Sequence, residues 1–366
     1  CDALPLMNAA ALLPGSIVAP ATLFEAAMAE DLDRGRARLA RGRLASLRAA
    51  AFINGSASHT VEFDDIFKDA IYHPGCPVIS AALAAAQTTG ASGDLFLRGV
   101  IIGYEISTRL GVAMGREHYE YFHNTGTIGT FGAAAAVATI LGATREQFPH
   151  ALATCATWTA ALQQAFRSES MSKPLHAGHA ADAGALAAMG AVKGVTGALD
   201  VIEGPVGFGA AMHGKCDWAQ VTAELGTRYN ITQMTFKNHA CCGHTFAAID
   251  GALELQRQMG VRADDIADFY RGKKIDIVVA LGPGADYDTH ARLLARHMGA
   301  HIPGNPLIVV QNMTGAGGLT MANWFGTIAA RDGTVIGVPA NIREPDQVRA
   351  LFERCEAELG LPDIVI

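Results

Sequence analysis

Hydrophobic positions along this chain gather into long runs with few polar breaks. "PVISAALAAAQTTG", "DLFLRGVIIGYEISTRLGVAMG", "TFGAAAAVATILG" and "AAIDGALELQRQMG" are each of helix length, rich in Ala and Leu, and closed by Gly, the residue that most readily ends a helix. The pattern predicts a helical domain over residues 37–268. Several of these helices are apolar on nearly every side, which predicts helices buried among helices, with Ala and Gly small enough to let the axes approach closely.

Near residue 268 the pattern changes. "KKIDIVVALGPG" is a β-branched run ended by a Gly-Pro-Gly turn, "YDTHARLLARHMGAHIPG" has helical spacing, "PLIVVQN" is again strand-like, and "GAGGLTMANWFGTIAARDG" follows. The order strand, helix, strand, helix predicts a partial α/β segment over residues 269–337. Residues 338–366 give a loop, a charged amphipathic helix and an apolar strand that looks cut at the last residue. The expected fold is therefore mainly α, a large all-helical domain followed by a partial α/β segment, with residues 1–36 unassigned.

Composition narrows the classes. With 366 residues, half of them apolar and 17% charged, the chain can bury a large core in two or more domains. A net charge of -7 and dispersed basic residues exclude an electrostatic footprint for nucleic acid. The longest apolar run, "FGAAAAVATILG", is too short to cross a membrane. Cysteines at 1, 76, 155, 216, 241, 242 and 355 form no CxxC pair, which points to a reducing compartment and to neither a disulfide framework nor a zinc site. The opening "CDALPLMNAAALLPG" lacks the basic start of a secretory signal, so the cytoplasm is expected. Cys241 and Cys242 are expected to be small core residues, with no thiolate activator nearby in sequence.

Polar residues of the helical region collect in four places: "HTVEFDD" with "YHPG", "YFHNTGTIGTFG", "SMSKPLHAGHAADAG" and "FKNHACCGHTFAAIDGAL". Each sits at a Gly or Pro break before an apolar helix, where side chains and helix N-terminal amides can face a shared cleft and hold an anion. Pro174 is expected in the first turn of its helix, which puts Lys173 at the N-cap end beside the positive pole of the dipole. His176 and His179 lie three residues apart on one face, so that one of them can join the cleft.

These stretches, together with "AAFINGSASHTVEFDD", "HPGCPVISAALAAA", "GYEISTRLG" and "DVIEGPVGFGAAM", resemble the MmgE/PrpD family in order from Ala49 to Asp268. The resemblance implies a large helical domain with a smaller α+β lid, a homodimer, and chemistry on a small polycarboxylate without metal or organic cofactor. It further implies His73 and His123 as acid and base, Lys173 and Lys237 as carboxylate clamps, and Asp64 with Asp65 as orienting or proton-handling groups. Glu62, His176 and His244 are implied as substrate contacts. Eliminating water or carbon dioxide from a polyacid needs such a set: cations for carboxylates, a base for the adjacent C–H and an acid for the leaving group. Two positions depart from the family pattern. Glu62 stands where Asp is common, and Ile66 replaces a hydroxyl residue.

Beyond residue 268, "GPGADYDTHARLLARHM", "HIPGNPLIVVQNM" and "GAGG" resemble the opening of the tripartite tricarboxylate transporter substrate-binding proteins, which are periplasmic. In such a segment Gly-rich turns would cradle a carboxylate, and Asp288 would contact an amine or order the loop. "NIREPDQVRALFERCEAELGLPDIVI" resembles a stretch of the short-chain dehydrogenases, without their Gly-rich nucleotide loop or Tyr-x-x-x-Lys pair. The chain thus reads as three partial genes in one frame. The expected function is a cofactor-independent lyase or isomerase of the 2-methylcitrate dehydratase type, impaired by a missing lid. The alternatives are a non-catalytic carboxylate-binding module of the periplasmic type and a non-functional composite.

Overall fold

The computed structural model describes residues 3–166, 170–212, 216–260, 262–279, 283 and 286–314. The "GAGG" block and the dehydrogenase-like segment lie outside the described residues. The chain divides into two compact units, Cys1–Phe246 and Ala247–Ile366. The division falls ahead of the texture change seen near residue 268. Helices dominate, as the hydrophobic pattern predicts.

The first unit opens with α1 (Ala3–Gly15) and α2 (Ala21–Ala27), followed by an antiparallel pair, β1 (Leu32–Arg38) and β2 (Leu44–Ala45). Residues 1–36, unassigned by sequence, belong to this unit: Leu4 and Leu32 are buried in its main hydrophobic core. Then come α3 (Leu47–Thr60), the short strand β3 (Asp65–Ile66), α4 (Gly75–Thr89), α5 (Gly93–Met114), α6 (Asn124–Ile140), α7 (Gln147–Ala156) and α8 (Ser172–Ala191). Two short helices, α9 (Phe208–Met212) and α10 (Ala219–Thr222), precede β4 (Thr235–Phe236). Local chemistry sets the helix ends. Ser46 and Ser92 each accept a hydrogen bond from a first-turn amide at 3.2 Å, and Gly90 closes α4 in the left-handed conformation.

The centre is α3, α4, α6 and α8. Every residue of α6 from Asn124 to Ala138 is buried, which explains its lack of a polar face. Glycine permits the closest approaches: a Cβ at Gly178 of α8 would lie 2.1 Å from Ser56 Oγ and 2.4 Å from Phe52 O of α3. A Cβ at Gly184 would lie 2.5 Å from Thr130 O of α6. The backbones of three helices therefore meet without intervening side chains.

An ion-paired strut ties the segment after α10 to this bundle. Arg109 of α5 is buried, pairs with Glu105 at 3.1 Å, and donates to Ala223 O at 2.7 Å and Arg228 O at 2.6 Å. Glu105 in turn accepts from Ile231 N at 3.0 Å. The chain then pairs β4 with β3, Asp65 opposite Phe236, and so delivers residue 237 to the start of the β3 segment.

The second unit takes in α11 (Phe246–Met259), α12 (Ala263–Tyr270), β5 (Lys274–Val279), α13 (Asp286–His297) and β6 (Leu307–Asn312). β5 and β6 are parallel, with Lys274 opposite Leu307, and α13 connects them, matching the strand, helix, strand order. Asp288 is buried here, accepting from Arg292 Nε at 2.9 Å and Asn312 Nδ2 at 2.8 Å. No helix among the described residues is long and apolar enough to cross a membrane.

Candidate active site

The Gly and Pro breaks place the polar groups. α3 ends at Thr60, with His59 in its last turn and Glu62 just beyond at φ 53, a left-handed conformation uncommon for a side chain of this size. His73 immediately precedes the Pro74 that starts α4, and His123 is the N-cap of α6. Lys173 and Pro174 both lie in the first turn of α8, whose N-cap residue is Met171, so Lys173 is one turn position inside the helix and not at its cap. Asn124 Nδ2 donates to Ala70 O, joining the loop before α4 to the start of α6.

Asp64 is the hub. Its Oδ2 accepts from His59 Nδ1 at 2.7 Å and lies 3.2 Å from His73 Nδ1, while Lys237 Nζ stands 2.8 Å from Oδ1. Burial works to raise this carboxyl, but His73, His59 and Lys237 outweigh it and hold Asp64 well below the usual range. Lys237 is itself buried, and Asp64 and Glu62 more than offset that burial, so its ammonium is retained. Glu62 bridges the two lysines, Oε1 to Lys173 Nζ and Oε2 to Lys237 Nζ at 2.7 Å. Against a burial effect of opposite sign, His59, Lys173 and Lys237 hold Glu62 down at about 2.

The imidazoles pack around this hub. His59 and His123 stack with centroids 5.4 Å apart, His59 and His73 are 5.1 Å apart, and Phe166 lies edge-on to His123 at 4.7 Å. His73 Nδ1 donates to Asp65 O at 2.8 Å, which leaves Nε2 as its basic nitrogen. Burial pushes His73 down to about 4, partly opposed by Asp64. Burial, then the neighbouring imidazoles and Lys173, hold His123 well below the ordinary histidine value. His123 Nδ1 faces His176 Nδ1 at 3.1 Å, so one nitrogen carries the proton and the other accepts it. Burial also lowers His176 to about 4. Its neighbour His179 instead reaches Trp158 O at 3.1 Å, outside the cluster.

Asp65 has a different task. Its Oδ2 accepts from Tyr104 OH at 2.7 Å and its Oδ1 from Gly75 N at 2.9 Å. Burial pushes it up to about 7 despite the Tyr104 bond, and it pins the start of α4, with His73 beside it, to α5.

Sequence reasoning named His73, His123, Lys173, Asp64, Lys237, Glu62 and His176, and the structure brings these seven together. Asp65 lies beside them. His244 sits in a short turn, Gly243–Thr245, and its side chain lies outside the described part of the structure. His59 was missed as a site residue although it opens the "HTVEFDD" stretch; its place five residues before Asp64, at a helix end, was the available signal. Tyr104 and Phe166 carried no signal of their own. Cys241 is only half-buried and Cys242 is exposed, so the expectation that both are core residues is corrected: they lie in the turn before α11.

Donor atoms of His59, Asp64 and Cys76 lie within 4.8 Å of one another, close enough for a metal. The chemistry points elsewhere. Burial pushes the Cys76 thiol well up, so it donates to Asp64 Oδ2 at 3.3 Å, and the Lys237 ammonium already supplies the cation at Asp64 Oδ1. The arrangement brings together three imidazoles held below their ordinary value, His73, His123 and His176, two ammonium groups, and two buried nitrogens, His59 Nε2 and His123 Nε2, with no hydrogen-bond partner among the described residues.

Human cis-aconitate decarboxylase is 34% identical over 167 residues, 44% of this chain and 34% of that protein. The cis-aconitate decarboxylase-like protein oryM of Aspergillus oryzae is 29% identical over 226 residues, 57% of this chain and 47% of that protein. The chain thus spans about a third to a half of the length of these curated relatives. The MmgE/PrpD N-terminal domain matches residues 7–221, beginning well before Ala49, where sequence reading placed the start of the resemblance. With more than half of its residues in that match, the chain belongs to the MmgE/PrpD family.

Proposed function

We propose that the first unit is a cofactor-independent lyase for a small tricarboxylic acid, with decarboxylation of cis-aconitate as its leading reaction. The observation that carries this reading is the convergence of Lys173 and Lys237 with three lowered imidazoles, His73, His123 and His176, around Asp64. The relatives' activity supports the choice of substrate.

In such a reaction the bond from one carboxylate carbon breaks and carbon dioxide leaves. The electron pair passes through the conjugated C=C toward a remaining carboxylate, where an ammonium offsets the growing charge. A proton delivered to carbon then completes the product. The N–H of a neutral imidazole is too weak an acid to protonate carbon, but a bound polyanion raises the pKa of any imidazole it touches, so substrate itself would arm His73 or His123 as the imidazolium acid. Dehydration of the 2-methylcitrate type is the second reading, favoured by the same base and clamp set. Assembly as a homodimer belongs to the same proposal.

The test mixes purified protein with cis-aconitate and, separately, 2-methylcitrate, following carbon dioxide release and the absorbance of the conjugated C=C. Carbon dioxide released from cis-aconitate and abolished in His73→Ala is the expected result. A new C=C absorbance from 2-methylcitrate alone would shift the assignment to dehydration, and no change with either substrate from a folded sample overturns the lyase reading.

A further inference from the structure

Two ammonium groups that converge on one point make a seat for a carboxylate, and here the seat is filled. Glu62 sends one carboxylate oxygen to Lys173 and the other to Lys237. The three residues come from separate places: Glu62 follows α3, Lys173 lies in the first turn of α8, and Lys237 follows β4. The first turn of α8 has no side-chain cap, so its amide dipoles add to the same positive potential. Glu62 holds a left-handed backbone conformation while it reaches both lysines, and its side chain and that of Lys173 keep some solvent contact, whereas Lys237 has none.

Charge accounting makes this contact consequential. Lys237 also faces Asp64, so the cations Lys173 and Lys237 meet the anions Glu62 and Asp64 in equal number. A polyanion approaching Lys173 and Lys237 finds both ammonium groups already partnered. It reaches Lys173 only when Glu62 swings away. We infer that Glu62 is an internal competitor for the substrate carboxylate: it occupies the Lys173–Lys237 seat and must be displaced for a polycarboxylate to bind. The Asp common at this place in the family pattern is one methylene shorter, and the longer reach of Glu62 accompanies its contact with both ammonium groups in this chain. The inference rests on the carboxylate-clamp part of the proposed function and deepens it, setting selectivity for ligands with enough negative charge to win the exchange.

The experiment reads binding alone. Propane-1,2,3-tricarboxylate, which has neither the hydroxyl nor the C=C that elimination or decarboxylation requires, is titrated calorimetrically into the wild-type chain, Glu62→Gln, Glu62→Asp, and Glu62→Gln combined with Lys173→Ala. Glu62→Gln is expected to bind about tenfold more tightly or better, the scale of one freed charge–charge contact. Glu62→Asp, which keeps the charge but shortens the reach, is expected to gain a few-fold, and it carries the test if Glu62→Gln does not fold. The double variant is expected to lose the gain. Equal or weaker binding in Glu62→Gln, or a gain that survives loss of Lys173, overturns the inference. Tighter binding by Glu62→Gln in a chain that turns over neither cis-aconitate nor 2-methylcitrate would sustain the competitor role while removing the proposed reaction.

Discussion

His59 and Asp64 share a 2.7 Å hydrogen bond in a fully buried setting, and the same carboxylate lies against His73 and Lys237. One negative charge thus orients two imidazoles and neutralises one ammonium. Asp64→Asn removes that charge while nearly preserving shape, leaving Lys237 with Glu62 as its remaining acidic partner. The expected cost is about 3–5 kcal/mol, typical of breaking a buried pair from one side. Turnover should fall by about 100-fold or more, since His73 loses the negative charge beside its Nδ1 while keeping only the Asp65 carbonyl. Urea unfolding and the kcat of whichever lyase reaction is found check both. A variant as stable as the wild type would show that the hub is not what holds these groups.

Stability should rise with pH through the mildly acidic range. His73 and His176 titrate at about 4 in the folded chain and His123 well below its ordinary 6.5, so between about pH 4 and 6.5 the unfolded state binds protons that the folded state does not. Asp65 works the other way: raised to about 7, it keeps a proton that the unfolded chain releases above about 4. His176 is the least buried of the three imidazoles and counts for less. The unfolded state therefore holds a surplus of between one and two protons, about 2 kcal/mol per pH unit. Unfolding free energies from urea titrations should be larger at about pH 7 than at about pH 5 by about 2–4 kcal/mol; a flat or falling value would mean that the imidazoles are not buried neutral.

Much of this was legible in the sequence because it is local. Gly and Pro punctuation marked the starts of α4, α6, α8 and α11, and the Ala-rich runs gave the helices between them. The partnership of Lys237 with Asp64 was not legible in that sense. It depends on a two-residue strand pairing, Asp65 with Phe236, across most of the unit, and on Arg109 anchoring the intervening segment through backbone carbonyls. His59 was hidden for another reason. It lies in a helix that is mostly core, and only the fold shows Asp64 turning back onto it. The hairpin of β1 and β2 escaped because a bulged, mostly exposed strand has no clean alternation.

Tyr104→Phe isolates the role of Asp65. The hydroxyl donates to Asp65 Oδ2 at 2.7 Å between two buried groups, while Gly75 N continues to hold Oδ1. Losing the donor should cost about 1–3 kcal/mol and push the Asp65 pKa higher still, because the Tyr104 bond is the largest of the contacts that oppose its burial. The pH dependence of unfolding should then show the loss of stability with rising pH extended beyond about 7. If Tyr104→Phe is as stable as the wild type at every pH, Asp65 is not supported from α5.

Gly178→Ala tests whether the close approach of α3 and α8 shapes the site. In an open helix the change would stabilise by about 1 kcal/mol through propensity. Here the new Cβ would stand 2.1 Å from Ser56 Oγ, which can rotate, and 2.4 Å from Phe52 O, which cannot move without carrying α3 with it. Overpacking of this kind costs about 1–3 kcal/mol, so after the propensity gain the net effect should be destabilising by up to about 2 kcal/mol. α3 ends beside His59 and Glu62, and α8 begins with Lys173, so a shift between the two helices must alter the Lys173–Glu62 contact as well. Carboxylate binding should therefore change along with stability. Gly251→Ala on α11, where a Cβ meets nothing within 4 Å, is the control, expected to be neutral or slightly stabilising. Destabilisation at Gly178 without any change in carboxylate affinity would show that the helix contact supports the fold but does not set the spacing of the site.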